Sequence, residues 1–141
     1  MVSDQTLATD VFTAVRTILV NASLATTTGT SPVQTASAIV AASYNDKTPA
    51  RPQIILRPAA ISESEYKFGS TRGRQFINVV VECYGTSTLS VDQLQDQSVF
   101  ALSENTIDGL QLVGYTSDYS YFSISDAKYH VKTITFNFDR A

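Results

Sequence analysis

Residues 75–84 read QFINVVVECY, and residues 85–108 continue as GTSTLSVDQLQDQSVFALSENTID. The first segment alternates with the period of a strand. Ile77, Val79, Val81 and Cys83 share one face, and Phe76, Asn78, Val80, Glu82 and Tyr84 share the other. One face is wholly apolar and the other mixed, which puts this strand in the middle of a sheet rather than at its edge. After a GTS turn the period becomes that of a helix. Val91, Leu94, Ser98, Val99 and Leu102 recur at spacings of three and four, the stripe a helix needs to pack on a sheet. Ser90, with Gln93 three positions on, reads as a capping box at the start of this helix. Gly109 reads as a left-handed cap at its end.

A chain of 141 residues is one domain by size, so residues 1–141 are expected to share a single modest core. The hydrophobic content of 43% is ordinary for a globular protein, and the charged fraction of 16% is low. No apolar run approaches the roughly 18 residues of a membrane span, so no membrane association is expected. MVSDQTLATD carries acids and lacks a basic region ahead of an apolar stretch, so it is not read as a secretory signal. With Cys83 as the single cysteine, no internal disulfide is possible. Its place on the apolar face marks it as a packed small hydrophobe, and the expected compartment is a reducing cytoplasm.

Working outward from the central unit, residues 4–21 read as a first helix capped by Ser3 or Asp4. Leu7, Val11, Ala14, Val15, Ile18 and Leu19 form its apolar stripe. Residues 22–50 are rich in Ser, Thr and Ala, with Gly29 and Pro32 as breakers, and read as a long polar arm. Within it, residues 36–43 fit a short helix or an extended stretch, and periodicity does not choose between them. Residues 53–57, QIILR, form a short strand stopped by Pro58. Residues 59–64 then read as a connection, 65–68 as another short strand, and 69–73 as a polar turn. Beyond the long helix, residues 110–117 and 119–124 are strand-like, either two strands or one with a bend. A turn at 125–127 leads to a last strand, 130–138, with Ile134, Phe136 and Phe138 on one face. The fold class is therefore α+β: a mainly antiparallel sheet with an N-terminal helix and one long central helix packed on it.

Catalytic chemistry finds little footing. His130 is the only histidine, and no GxSxG elbow accompanies any serine. One His and one Cys do not make a zinc site, and the glycines at 69 and 73 precede a strand rather than a helix with GK[ST]. Glu63 and Glu65 are two apart, yet nothing else marks an acid–base pair. The expectation is a protein that is not an enzyme, with no catalytic residues, no metal and no cofactor. Arg72-Gly73-Arg74, near Tyr66 and Phe68, is the nearest approach to a nucleic-acid signal. A net charge of −3 and a long acidic half speak against a polyanion as its ligand.

Charge is unevenly spread along the chain. Between 47 and 74, Lys47, Arg51, Arg57, Lys67, Arg72 and Arg74 outnumber Glu63 and Glu65. Between 85 and 127 the charges are Asp92, Asp96, Glu104, Asp108, Asp118 and Asp126, with no Lys or Arg. Two readings are open. These are two solvated faces, or they are complementary faces that pair between copies, a heterologous contact able to close a ring. On the second reading Arg57, Arg72, Arg74, Asp92 and Asp96 are subunit-interface residues.

The layout also resembles a family. A P-x-I-I-L-R strand at residues 52–57, the F-x-x-V-x-V strand within 74–81 and the F-N-F ending within 133–138 occur in the same order as in the tail terminator, or tail completion, proteins of long-tailed bacteriophages. The resemblance covers most of residues 4–139, and the arm at 22–50 is longer and richer in Ser and Thr than that pattern. It implies a structural virion protein, localised in the tail and neck and assembled in the host cytoplasm. It further implies a homo-oligomeric, hexameric ring on the head-proximal end of the tail tube. Its partners would be the tail tube protein and a head-side connector, with DNA passing through the lumen without specific binding. Glu104, Asp108 and Asp118, with Asp92 and Asp96, are then candidates for an acidic lumen or docking face, which like charge keeps free of DNA. The alternatives are another neck or head-completion protein, a tail-tube-like ring subunit, or an unrelated small binding domain. Charge reversal of Arg72 and Arg74 together is expected to weaken ring assembly, read by sedimentation, while the circular dichroism spectrum stays unchanged. Unaltered assembly would place the RGR turn away from the subunit contact.

Overall fold

A computed structural model of the protein describes residues 6–22, 24, 39–41, 53–64, 74–107, 109–124 and 126–140. Eight elements follow in chain order. They are α1 (Leu7–Asn21), β1 (Ile39–Ala41), β2 (Gln53–Leu56), β3 (Ala60–Ser64), β4 (Arg74–Gly85), α2 (Thr88–Glu104), β5 (Gln111–Ile124) and β6 (Ala127–Arg140). The fold is α+β, with a six-stranded sheet in the order β1-β2-β4-β6-β5 and β3 also paired to β4. All pairings are antiparallel except the short parallel contact of β1 with β2.

The alternation read in residues 75–84 makes β4 the central strand. Its edge toward β6 is paired from Gln75↔Arg140 to Gly85↔His130. Its other edge is shared by two short strands in succession, β2 against residues 81–84 and β3 against residues 74–78. Between them Arg57 N–H donates to the Val80 carbonyl at 3.0 Å. Pro58 has no N–H to give, so the ladder breaks there into two pieces. This corrects the expectation that 59–64 is only a connection. The segment AISES has no apolar period of its own, and its pairing is dictated by the open edge of β4, whose backbone groups need partners in an interior strand. The expected strand at 65–68 lies outside the described residues.

Ile77, Val79, Val81 and Cys83 are fully buried, as are Ile134 and Phe136 beside them on β6 and Ile54 and Leu56 on β2. Leu94, Ala101 and Leu102 of α2 close this layer, joined by Leu7, Val11, Val15 and Leu19 of α1. Both helices thus lie on one face of the sheet. Burying each such aliphatic side chain contributes about 1.5–3 kcal/mol, so this layer is the main favourable term in folding. A second, smaller cluster of Ile55, Tyr84, Tyr129 and Val131 sits on the opposite face, with Tyr84 edge-on to Tyr129 at 6.3 Å.

Helix ends differ in detail from expectation. α1 begins at Leu7 with Thr6 at its N-cap position, and the Thr6 hydroxyl donates to Asp10 Oδ2 at 2.9 Å instead of capping the backbone. Ser3 and Asp4 lie outside the described residues. α2 begins two residues earlier than Ser90. Ser87, in extended geometry, is its N-cap, and Ser90 occupies the third helical position. Ser90 N–H donates to Ser87 Oγ and Ser87 N–H donates to Ser90 Oγ, both at 3.2 Å, so a serine replaces the usual Glu or Gln of the box. Asn105 ends α2, its Nδ2 donating to the Ala101 carbonyl at 2.8 Å. Gly109 is therefore not the helix cap. Its φ of +79° serves a separate turn, closed by Leu110 N–H to the Ile107 carbonyl at 3.0 Å.

Of the polar arm at 22–50, Ile39–Ala41 is extended and adds the outer strand beside β2, and Leu24 is buried. The two strand-like stretches after α2 are one strand, β5, with a bulge between Leu112 and Gly114. β6 is longer than the expected 130–138. The loop between them is only two residues, with Asp126 at φ 68°, a conformation Asp tolerates better than most residues. At the end of β4, a methyl group on Gly85 would stand 2.3 Å from Ser90 Oγ and 2.9 Å from Val91 Cγ1. The capping box pins Ser90 and the core pins Val91, so neither can give way cheaply. Gly85→Ala is accordingly expected to destabilise the protein by about 1–3 kcal/mol in denaturant unfolding. An unchanged midpoint would show that the start of α2 is free to shift.

Candidate assembly surfaces

Packing α2 by its stripe of Val91, Leu94, Ser98, Ala101 and Leu102 turns the opposite face outward. On that face lie Leu89, Asp92, Asp96, Phe100 and Glu104, all exposed. They fall within one side of the helix because their spacings are three, four, four and four. Phe100 is 66% exposed and Leu89 52%, unusual for apolar side chains beside carboxylates. Next to Phe100 an open groove of about 360 Å³ runs between the end of α1 and α2, lined by Ala22, Leu24, Asp96, Ala101 and Asn105 among others.

The sequence-derived candidates scatter. Asp92 is tied to its own chain, Oδ1 lying 3.2 Å from Lys132 Nζ, which fastens the start of α2 to β6. Arg57 is likewise engaged, its Nη2 lying 3.0 and 3.3 Å from the two carboxylate oxygens of Glu82. Tyr84 donates its hydroxyl to the same carboxylate at 3.2 Å. Both residues thus have partners within the chain, because the pairing of β2 with β4 and of α2 with β6 sets opposite charges side by side. Arg74 opens β4 opposite Ser64, while Arg72 and Asp108 lie outside the described residues. Asp96 and Glu104 share the exposed face of α2. Asp118 does not join them. It pairs in register with Thr133, which in turn faces Glu82, so it stands on the side of the sheet away from the helices. The acidic half of the sequence is therefore two separate surfaces and not one.

The second exposed surface was missed in the sequence reading. Residues 113 and 115–123 of β5 are exposed on both faces, for α2 packs over β4 and β6 while α1 packs mainly against α2 and β1. Tyr115, Tyr119 and Tyr121 stand on the helix side, opposite Phe136, Lys132 and His130. The Tyr119 hydroxyl lies 2.6 Å from His130 Nδ1, and the Tyr121 ring is edge-on to the imidazole at 4.8 Å. On the other side Phe122 stacks on Tyr129 at 5.3 Å. The alternation Tyr115, Ser117, Tyr119, Tyr121 was a legible signal of a row, although not of its exposure.

Cys83 is fully buried, and burial pushes its thiol up to about 12 from 9.0. The nearby Ser98 hydroxyl opposes that shift without reaching hydrogen-bond geometry, and the charge on Glu82 adds slightly to it. Among the described residues no group of three or more His, Cys, Asp or Glu is placed to hold a metal ion, and no helix is long and apolar enough to cross a membrane. The fold defines a small α+β protein with one helical layer on a mainly antiparallel sheet. A scan against protein-family models matches none, and a search of curated proteins finds no significant match.

A thiol raised by burial makes stability depend on alkaline pH. Below 9.0 the group is protonated in both folded and unfolded chains and has no effect. Between 9.0 and about 12 only the unfolded chain loses the proton, so stability falls as pH rises through that window. Cys83→Ala is expected to have a shallower loss of stability above pH 9 than the parent protein. Native protein is expected to leave an aromatic disulfide reagent unreacted at pH 8, with one thiol released on unfolding; prompt reaction of the native chain would contradict the burial.

Proposed function

We propose that this chain is a structural virion protein whose ring caps the head-proximal end of a phage tail tube. The ring ends tube polymerisation and offers the surface on which a head-side connector docks. Support comes first from the order of elements and short motifs that resemble tail terminator proteins. The observation that carries the reading further is the outward face of α2, where Phe100 stands exposed between Asp96 and Glu104 and Leu89 stands exposed near the start of the same face.

An apolar side chain held in water beside a groove loses about 25 cal/mol for every Å² it leaves uncovered, and a protein contact recovers that free energy. Carboxylates around it add selectivity for a basic partner and disfavour DNA. This face suits a contact with the neighbouring subunit or the tube better than a bare lumen. With Arg57 and Asp92 paired within the chain, Asp96 and Glu104 become the carboxylates through which that contact is made. Asp118, on the other side of the sheet, is assigned no part in it. DNA passing the ring meets no built site among these residues.

The test is direct. Purified protein mixed with uncapped tail tubes is expected to give, in negative-stain images, a ring at one end of each tube and an arrest of further growth. Phe100→Asp is expected to abolish capping while shifting stability by no more than about 0.5 kcal/mol, as is usual for a surface position. Tubes that stay bare and keep growing at saturating protein would overturn the reading.

A further inference from the structure

We propose that two copies of this chain pair through their β5 strands, edge to edge, as an antiparallel two-fold dimer centred on Tyr119. Among the described residues β5 pairs with β6 alone, along one side, and it ends the sheet. Over residues 115–123, past the bulge at Leu112/Gly114, no described strand takes its other side, where alternate residues carry their backbone N–H and C=O groups. Natural edge strands are usually blunted by Lys, Pro, brevity or a bulge along their length. β5 has no Lys, Arg or Pro, spans 14 residues, and carries its bulge at one end. The stretch left regular and open is also the aromatic one.

The choice of a second copy as occupant comes from self-complementarity. A two-fold axis normal to the sheet can bring only residues of like parity opposite each other, so the pairing must centre on a residue. Centred on Asp118, the two carboxylates meet, which is destabilising. Centred on Ser117, Tyr119 meets Tyr115 on both sides of the axis and two serines face each other. Centred on Ser120, Asp118 meets Phe122. Centred on Tyr119, the two Tyr119 side chains face each other at the axis and every other large side chain of residues 115–123 meets a small one: Tyr121 faces Ser117, Tyr115 faces Ser123 and Phe122 faces Thr116. Asp118 then faces Ser120, whose hydroxyl can donate to it. Of these four registers, the one centred on Tyr119 fits both the shape and the single charge of this strand. The exposure of the whole stretch on both faces leaves room for it.

This contact is isologous and so differs from the heterologous one that closes a ring; it uses β5 and leaves the exposed face of α2 free. It therefore stands or falls independently of tube capping. Sedimentation equilibrium on the full chain, from about 1 to 500 μM, is expected to show a monomer–dimer equilibrium. Ser120→Asp sets a carboxylate opposite Asp118 of the partner twice per dimer and is expected to weaken dimerisation at least tenfold. Combining it with Asp118→Lys turns both contacts attractive and is expected to restore it. Thermal melts of each variant check that the fold is intact. Tyr119→Cys is expected to form an interchain disulfide on mild oxidation, because only this register puts residue 119 against itself. A monomer at every concentration overturns the proposal. So does a dimer that Ser120→Asp leaves untouched, or one that the double variant fails to restore.

Discussion

The burial of one face of β4 under the two helices governs the rest of the molecule. Ile77, Val79, Val81 and Cys83 must leave water together, and a strand with such a face in the sheet interior must have its backbone satisfied along both edges. β6 provides one edge without interruption. Two short strands separated by Pro58 provide the other, with the Arg57 N–H bridging the gap. The helix that covers the face is launched by the same strand. Gly85 permits the close turn, and the Ser87–Ser90 box fixes the angle at which α2 returns over β4.

Placing both helices on one side of the sheet has a consequence for the surface. α2 spans β4 and β6 and stops short of β5, so the far strand of the hairpin stands clear on both faces. The opposite side of the sheet is left to a small aromatic and ionic cluster in which Arg57, Glu82, Tyr84 and Tyr129 hold one another. Among the described residues, most large apolar groups left in water lie on two surfaces: the outer side of α2 and the open strand β5. They are separate in position, charge and geometry. One is a convex helix with carboxylates around a phenylalanine, and the other is a flat edge with a row of rings.

Much of the fold was legible because burial leaves a period in the chain. A strand buried on one face alternates, and a helix buried on one stripe repeats at three and four, so β4, α1, α2 and β6 could be read with errors of a few residues at their ends. Ends depend on single hydrogen bonds. The box closed by Ser87 and Ser90 was read three residues late because a serine stood where Glu or Gln is usual. β3 left no period to read, since it lies on the rim of the sheet with Ile61 exposed. Its existence follows from what β4 requires. Ile39–Ala41, which local sequence left open between helix and extended chain, is decided by its pairing with β2.

Charge shows the division most clearly. The composition of residues 85–127, acids without a single Lys or Arg, is a property of the chain and suggested one acidic face. Folding split it, with Asp96 and Glu104 on α2 and Asp118 on the other side of the sheet, and it matched Asp92 with Lys132 and Arg57 with Glu82. Residue type and period, which act over a few neighbours, decided the α+β class, the interior strand and the core stripe of the long helix. Strand partners, ion pairs and exposed edges decided the surfaces, and these form between residues tens of positions apart. Only the assembled sheet brings such residues to within a few ångströms.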